Sequence, residues 1–189
     1  MTEQTSDTQR QAGEPDLQAA WARIEAWYAR QAGAPPLPDG ASEAAIARLE
    51  RHLRLRLPDP FRRSLARHDG VPEGHWPHGE LLSVHRIREE WDIWDGLQKD
   101  GGFADMEATL HPDARLQPRW WDAGWVPVDA DGGGNSTCLD LNPGPKGQLG
   151  QLIKIDHERG PGGPKYPDFV AYLHAAAELL EAGKQNLSG

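Results

Sequence analysis

Cysteine is nearly absent from this chain of 189 residues, because Cys138 is the only one. A single cysteine cannot form an internal disulfide, and such usage is typical of a reducing compartment. No apolar run approaches the roughly 20 residues that a membrane-spanning helix needs. The N-terminus, MTEQTSDTQRQAGEPD, has neither the basic start nor the apolar segment of a secretory signal. These absences predict a cytoplasmic protein that has no membrane partner.

The net charge of −9 is unevenly distributed. Seven arginines lie between Arg48 and Arg67 against only Glu50 and Asp59, so this stretch carries +5 and the remainder −14. An acidic body disfavours phosphate backbones and favours basic partners. Because the arginines are interleaved with one aromatic residue, Phe61, we interpret them as solvated helix faces and expect no direct nucleic-acid binding.

Apolar residues at helical spacing predict helices along most of the first half of the chain and at its end. We predict a disordered tail over residues 1–14 and one domain over residues 15–185. The predicted apolar stripes are Leu17, Trp21, Ile24 and Tyr28; Ala45, Ile46, Leu49 and Leu53; Phe61 and Leu65; Ile87, Trp91 and Trp94; and Phe169, Leu173, Ala176 and Leu180.

Local signals predict where several of these elements begin and end. Ser42 and Asp59 are predicted N-caps, Pro60 suits a first helical position, and Gly70 is typical of a helix end. The segment GELLSVHRI predicts a short strand that passes into a helix. Residues 98–118 form a polar insertion, for which we predict a mobile loop with a turn or two of helix.

From Trp125 the apolar period changes to two, which predicts three strands joined by turns. Their inward residues would be Val126 and Val128, then Thr137, Leu139 and Leu141, then Leu149, Gln151, Ile153 and Ile155. The segment GPGGPKYPDF would lead into the last helix. The predicted fold is therefore α+β, a mainly antiparallel meander packed with N-terminal helices and a closing C-terminal helix.

The stretch WVPVDADGGGNSTCLDLNPGPKG admits three interpretations. A phosphate loop needs Lys and Ser or Thr at the start of a helix, but here a strand follows the glycines. Counting from Asp129 places Asp131 and Asp140 at positions three and twelve of a calcium loop, yet Gly133 stands at position five and position twelve is not Glu. We therefore interpret the stretch as hairpin turns, for which Asp-Gly is a strong signal.

The same stretch carries a resemblance to a known family. LPDPFRRSLARHDG, WVPVDADGGGNSTCLDLNPGPKGQLGQLIKIDHE and YPDFVAYL resemble, in order and spacing, the core of the SUKH superfamily over residues 40–180. That superfamily includes bacterial toxin-immunity proteins and fungal cell-wall assembly regulators. The first helix and the 98–118 insertion depart from its pattern.

Residues that could carry chemistry are scattered. His75, His78, His85 and His157 lack a recognised zinc-ligand spacing, and a Cys138 within a strand is more typical of a small buried hydrophobe than of a nucleophile. We therefore expect no catalytic residues, no metal and no cofactor. Of eight tryptophans, Trp76, Trp120 and Trp121 fall in loops or strand edges, where packing on the core and service as interface anchors are both open.

The resemblance implies an intracellular immunity protein that neutralises a cognate toxin by direct binding, and the acidic surface suits a basic toxin such as a nuclease. The alternatives are a regulatory protein-interaction module like the fungal members and a metal-dependent hydrolase. Clustering of acids near predicted turns and on the tryptophan-rich helix suggests a partner-binding set. The set comprises Trp91, Asp92, Asp95, Asp129, Asp131, Asp156 and Glu158.

Overall fold

The computed structural model describes residues 14–111 and 113–183. The helices are α1 (Glu14–Arg30), α2 (Glu43–Leu53), α3 (Asp59–Arg67), α4 (Val84–Lys99), α5 (Ala104–Glu107) and α6 (Phe169–Glu181). The strands are β1 (Val71–Trp76), β2 (Gly79–Leu81), β3 (Trp125–Ala130), β4 (Ser136–Asp140), β5 (Leu152–Asp156) and β6 (Gly160–Tyr166). Apart from Glu14, the predicted disordered tail lies outside the described residues.

The strands form one antiparallel sheet in the order β1-β2-β3-β4-β5-β6, which is a meander. Three helices precede the sheet, α4 and α5 lie in the connection between β2 and β3, and α6 closes the chain. The predicted α+β class is confirmed. No helix in the described part of the chain is long and apolar enough to cross a membrane.

The signal at Ser42 is confirmed, but those at the two ends of α3 are displaced, and α3 already ends at Arg67 with His68 as its C-cap, before Gly70. Ser42 caps α2, its hydroxyl accepting from the amide of Ala45 at 3.2 Å. At α3, however, the N-cap is Pro58, whose carbonyl accepts from the amide of Arg62 at 3.0 Å. The prediction of Asp59 as N-cap is wrong by one position. Its carboxylate lies instead in the first turn, where it complements the positive end of the helix dipole.

The sequence interpretation missed two strands and misplaced the ends of two others. β1 and β6 form the two edges of the sheet, where loops were predicted. The Pro and Gly residues of VPEGHW and GPGGPKY disfavour central strands, but an edge strand tolerates them because half of its N–H groups need no strand partner. β4 ends at Asp140 and β5 begins at Leu152, so Leu141, Leu149 and Gln151 lie outside the strands.

Aromatic stacking anchors the 98–118 insertion to the core. Phe103 lies between Trp94 of α4 and Trp120, with ring centroids 5.6 and 6.3 Å away. Trp121 stacks on Trp94 at 5.5 Å and meets Trp125 of β3 edge to face at 6.0 Å. All five rings are buried. The insertion contains the one-turn helix α5, as predicted, and Trp120 and Trp121, which follow the insertion, pack in the core.

A second aromatic group joins α1, α3 and α6 under the sheet. The ring of Phe61 is 1% exposed and meets Phe169 edge to face at 4.8 Å. Trp21 of α1 lies near Trp76, with centroids 6.3 Å apart, and its indole N–H donates to the Ser64 hydroxyl at 3.1 Å. Packing between these helices therefore depends on interlocked rings as well as on aliphatic side chains.

We predict that Phe61→Ala lowers the free energy of unfolding by about 3–5 kcal/mol, because it removes a fully buried ring and leaves a cavity. Chemical denaturation followed by tryptophan fluorescence measures this loss. Ala66→Ser, an exposed change on the same helix, is the control and should cost less than about 0.5 kcal/mol. A loss below about 1 kcal/mol for Phe61→Ala would contradict the packing described here.

Candidate protein-interaction surface

The turn between β3 and β4 is organised by the carboxylate of Asp131. Its Oδ1 accepts from the amides of Gly133 at 2.8 Å and Asn135 at 3.0 Å, and its Oδ2 accepts from Asn135 Nδ2 at 2.7 Å. Gly132 and Gly134 adopt positive φ, the backbone region that glycine tolerates. Burial raises the pKa of Asp131, but the hydrogen bonds outweigh it and the net pKa is lowered. The carboxylate therefore stays charged and holds the predicted turn rigid.

A second turn, between β5 and β6, lies against the first. The side-chain oxygen of Asn135 accepts from the backbone amide of His157 at 3.2 Å. Asp156 Oδ1 in turn accepts from the amides of Glu158 at 3.0 Å and Arg159 at 3.1 Å. Three members of the predicted partner-binding set, Asp131, Asp156 and Glu158, therefore lie at the same end of the sheet.

Three further carboxylates that the sequence interpretation missed surround an adjacent cleft of about 180 Å³. Glu73 of β1, Glu80 of β2 and Glu90 of α4 line it together with Arg86. The guanidinium of Arg86 bonds Glu80 at 3.3 Å and Glu90 at 2.8 Å. Glu73 approaches the β3–β4 turn so closely that a Cβ at Gly132 would lie 2.7 Å from its carboxylate. We call Asp131, Asp156, Glu158, Glu73, Glu80 and Glu90 the acidic turn surface.

The structure places the α4 members of the predicted set elsewhere. Trp91 is 8% exposed, and its indole N–H donates to the carbonyl of Ala123 at 3.1 Å. Asp95 is also buried and pairs with Lys99. Asp92 is exposed, but it lines a groove of about 560 Å³ between α2 and α4. As one continuous partner-binding set, the seven residues stay a prediction.

Asp92 has its own partners in that groove. Its Oδ1 lies 2.5 Å from Nε2 of His52, and its Oδ2 lies 3.5 Å from Nε of Arg88. The groove also presents Arg48 and Glu89, so its charges are of both signs and largely paired. Nothing in this arrangement selects a basic or an acidic partner.

Asp129, the remaining member, lies in the core and is 2% exposed. Its Oδ2 accepts from the Tyr172 hydroxyl at 2.7 Å, and its Oδ1 accepts from the Thr137 amide at 2.7 Å. The indole N–H of Trp76 donates to the same hydroxyl at 2.8 Å. Burial raises the pKa of Asp129 to about 6, and the donated hydrogen bonds only partly oppose it. Its carboxylate is therefore committed to internal partners.

The cysteine and the histidines that could have served as a nucleophile or as metal ligands also lie apart from one another. Cys138 is fully buried, and burial together with the nearby Asp129 carboxylate raises its thiol pKa, so little reactive thiolate forms at neutral pH. His75 lies in β1, His85 on α4 and His157 in the β5–β6 turn. Burial lowers the pKa of His78, in the β1–β2 turn, to about 4. Within residues 14–111 and 113–183, no three His, Cys, Asp or Glu side chains are grouped to hold a metal.

Comparison with known proteins finds one family model, described as the SMI1 / KNR4 family (SUKH-1), which matches residues 40–175. A Schizosaccharomyces pombe protein named "Cell wall biosynthesis/cell cycle regulator smi1" is 30% identical over 90% of this chain and 37% of its own length. A Neurospora crassa "Glucan synthesis regulatory protein" is 25% identical over 88% of this chain and 38% of its own. A Saccharomyces cerevisiae "Cell wall assembly regulator SMI1" is 22% identical over 94% of this chain and 43% of its own length.

These comparisons confirm the SUKH resemblance and overturn one expectation drawn from it. The expectation of an immunity protein that neutralises a toxin is wrong, because the relatives are named as fungal regulators of the cell wall and of glucan synthesis. The resemblance seen in the sequence is to a superfamily that includes both kinds of protein, so it could not separate them. The chain spans less than half the length of each of these relatives.

We predict that Asp129 makes the stability of the protein depend on pH. Because its pKa in the folded state lies above its unfolded value, its stabilising contribution is complete below about pH 4 and is lost as pH rises through about 6. Asp129→Asn removes this titration. The free energy of unfolding of the original protein minus that of the variant should fall by about 2 kcal/mol between pH 4 and pH 7.

Asp131→Asn is the matched control for this measurement, because the pKa of Asp131 is lowered rather than raised. Its contribution is present above the unfolded pKa and is lost only as pH falls towards and below that value, so the corresponding difference should be nearly constant from pH 5 to 7. A pH-independent difference for Asp129→Asn would contradict the buried, titrating carboxylate.

We also predict that the β3–β4 turn does not bind calcium. The carboxylates of Asp129, Asp131 and Asp140 each accept hydrogen bonds from protein donors, which calcium would have to displace. Thermal unfolding in about 1 mM calcium and in excess chelator should therefore coincide. A rise of several degrees with calcium would contradict this, since a ligand that binds only the native state must stabilise it.

Proposed function

Because the chain belongs to the SMI1 / KNR4 family (SUKH-1), we propose that it is a regulatory protein-interaction module that acts by binding and not by catalysis. The names of its relatives support regulation of cell-wall assembly or glucan synthesis as the process. Since the chain spans less than half the length of those proteins, we propose for it only the binding role of the segment that it shares with them.

The acidic turn surface is the observation that carries this proposal. Arg86 is paired with Glu80, Glu89 and Glu90, and these contacts raise the pKa of its guanidinium further, so its charge is already compensated. Asp131 and Glu158 add negative charge, with Lys154 as a cation near Asp131 and the imidazole of His157 3.9 Å from Glu158. The partner class that fits this surface is a cellular protein with a segment rich in Lys and Arg.

Rigidity of the two turns favours binding over chemistry. Asp131 and Asp156 each accept hydrogen bonds from backbone amides of their own turn, so their positions are fixed before a partner arrives. A preorganised surface loses less conformational entropy on association. The mode of action that follows is electrostatic steering of a basic segment onto a prepared surface.

We predict that a fluorescent decalysine peptide binds the protein through this surface. The triple variant Asp131→Asn, Asp156→Asn and Glu158→Gln should slow its association by about tenfold at low salt, because rim charges act mainly on the association rate. Raising the salt from about 0.01 to 0.15 M should slow association to the original protein, since the screening length falls from about 30 to 8 Å. Stopped-flow fluorescence measures both rates.

A matched control separates local from global charge. The triple variant Asp100→Asn, Asp105→Asn and Glu178→Gln removes the same charge from exposed positions outside the acidic turn surface. Its association rate should stay within about twofold of the original. Equal slowing by both variants would mean that only net charge matters and would reject the acidic turn surface as the binding site.

A further inference from the structure

An apolar groove lies between α3, α6 and the β4–β5 turn and is separate from the acidic turn surface. Its volume is about 600 Å³, and its lining includes Pro58, Pro60, Leu139, Leu149, Phe169 and Val170. In an antiparallel meander, alternate turns fall at opposite ends of the sheet. The β4–β5 turn therefore lies at the far end from the β3–β4 and β5–β6 turns.

Leu149 at the mouth of this groove is 68% exposed, more than any other large hydrophobic residue in the described part of the chain. Its turn is nevertheless rigid. The amide of Gly150 donates to the Asp140 carbonyl at 2.8 Å, and the amide of Gln148 donates to Gln151 Oε1 at 3.0 Å. The side chain of Gln151 is buried and also donates to Asp140 Oδ2 at 2.8 Å. Leu149 is thus held outward by a fixed backbone.

A large apolar side chain on a rigid turn has two consequences. Its exposure to water is unfavourable by an amount that burial would recover. Its fixed backbone also lowers the entropy lost when a partner covers it. Binding hot spots have this combination of an apolar anchor and a preformed pocket.

The charges at the rim of the groove are of one sign. Asp16 of α1 and Asp168 before α6 line it, both exposed, and among residues 14–111 and 113–183 no Lys or Arg does. Asp168 Oδ1 accepts from the amide of Ala171 at 2.8 Å, so this carboxylate also neutralises the positive end of α6. His174 is the other titratable group among the described residues of the lining. The rim therefore favours a cation over an anion.

We infer that this groove docks a short linear segment of a partner protein in which an aliphatic or aromatic side chain stands next to Lys or Arg. The apolar side chain covers Leu149 and enters the groove, and the cation pairs with Asp16 or Asp168. This inference deepens the proposed function, on which it rests, by adding a second site with a different recognition chemistry.

The test begins with selection of a phage-displayed random dodecapeptide library on the original protein. Selected peptides should combine a large apolar residue with an adjacent Lys or Arg. For a synthesised peptide, Leu149→Asp should weaken binding by about tenfold or more, the size of a lost hot spot. Asp168→Asn keeps the helix cap but loses the charge, and should weaken binding by about two- to fivefold. Fluorescence polarisation measures the affinities.

Ile93→Asp is the control, because Ile93 is an exposed apolar residue, 55% exposed, on α4 and away from the groove. It should leave peptide affinity unchanged. Thermal unfolding of the three single variants should agree with that of the original protein within a few degrees, since Leu149, Asp168 and Ile93 are exposed. The triple variant of the acidic turn surface should also retain peptide binding.

Three outcomes would overturn the inference. One is a library from which no peptide prefers the original protein over Leu149→Asp. Another is enrichment of acidic peptides, which would mean that the helix N-termini outweigh the rim carboxylates. The third is peptide binding that fails in the acidic triple variant but survives Leu149→Asp. That result would leave the proposed function standing while rejecting the groove.

Discussion

The hydroxyl of Tyr172 joins the closing helix to the sheet, and the positions of the surface turns depend on it. It accepts from Trp76 of β1 and donates to Asp129 of β3, whose other oxygen accepts from the Thr137 amide of β4. The register between β3 and β4 shifts between Pro127 and Asp129, so a side chain satisfies an amide at this irregularity. Loss of any member would leave buried partners unsatisfied, at about 1–3 kcal/mol each. The β3–β4 turn begins at Asp131, directly after β3 ends at Ala130. The buried hydrogen bonds of Tyr172 and Asp129 therefore fix the position from which Asp131 projects.

Elements with strong local signals could be predicted from the sequence, and those defined by neighbours could not. Ser42 and the apolar stripe of α2 lie within one helix, so the pattern is complete in the sequence. β1 and β6 contain Pro72 and Pro161, residues that local preference assigns to loops. Both strands lie at sheet edges, where a missing N–H group can face away from the ladder. Whether a strand lies at an edge is a property of the whole sheet and cannot be read from the six residues of β1 or the seven of β6.

The candidate site shows the same division. The turn chemistry of Asp131 could be predicted, because Asp-Gly before a strand is a local signal. Glu73 and Glu80 come from other strands and reach the site only through the pairing of β1, β2 and β3. Asp129 was expected at the surface because it lies next to a predicted turn, yet every residue of β3 and β4 is buried. Helices distant in sequence pack against these strands, and strand periodicity alone does not indicate such packing.

The two ends of the meander differ in chemistry for a reason that lies in the turns themselves. Asp131 uses its carboxylate to hold a glycine-rich turn and leaves the adjoining surface acidic. In the β4–β5 turn, the hydrogen bond between the buried side chains of Asp140 and Gln151 fixes the turn. Leu149 takes no part in it and faces outward. β4 has five residues, so the two ends are separated by about 17 Å at 3.4 Å per residue. A partner segment that engages both ends must span that gap, and linkage of two weak contacts then raises affinity above that of either alone.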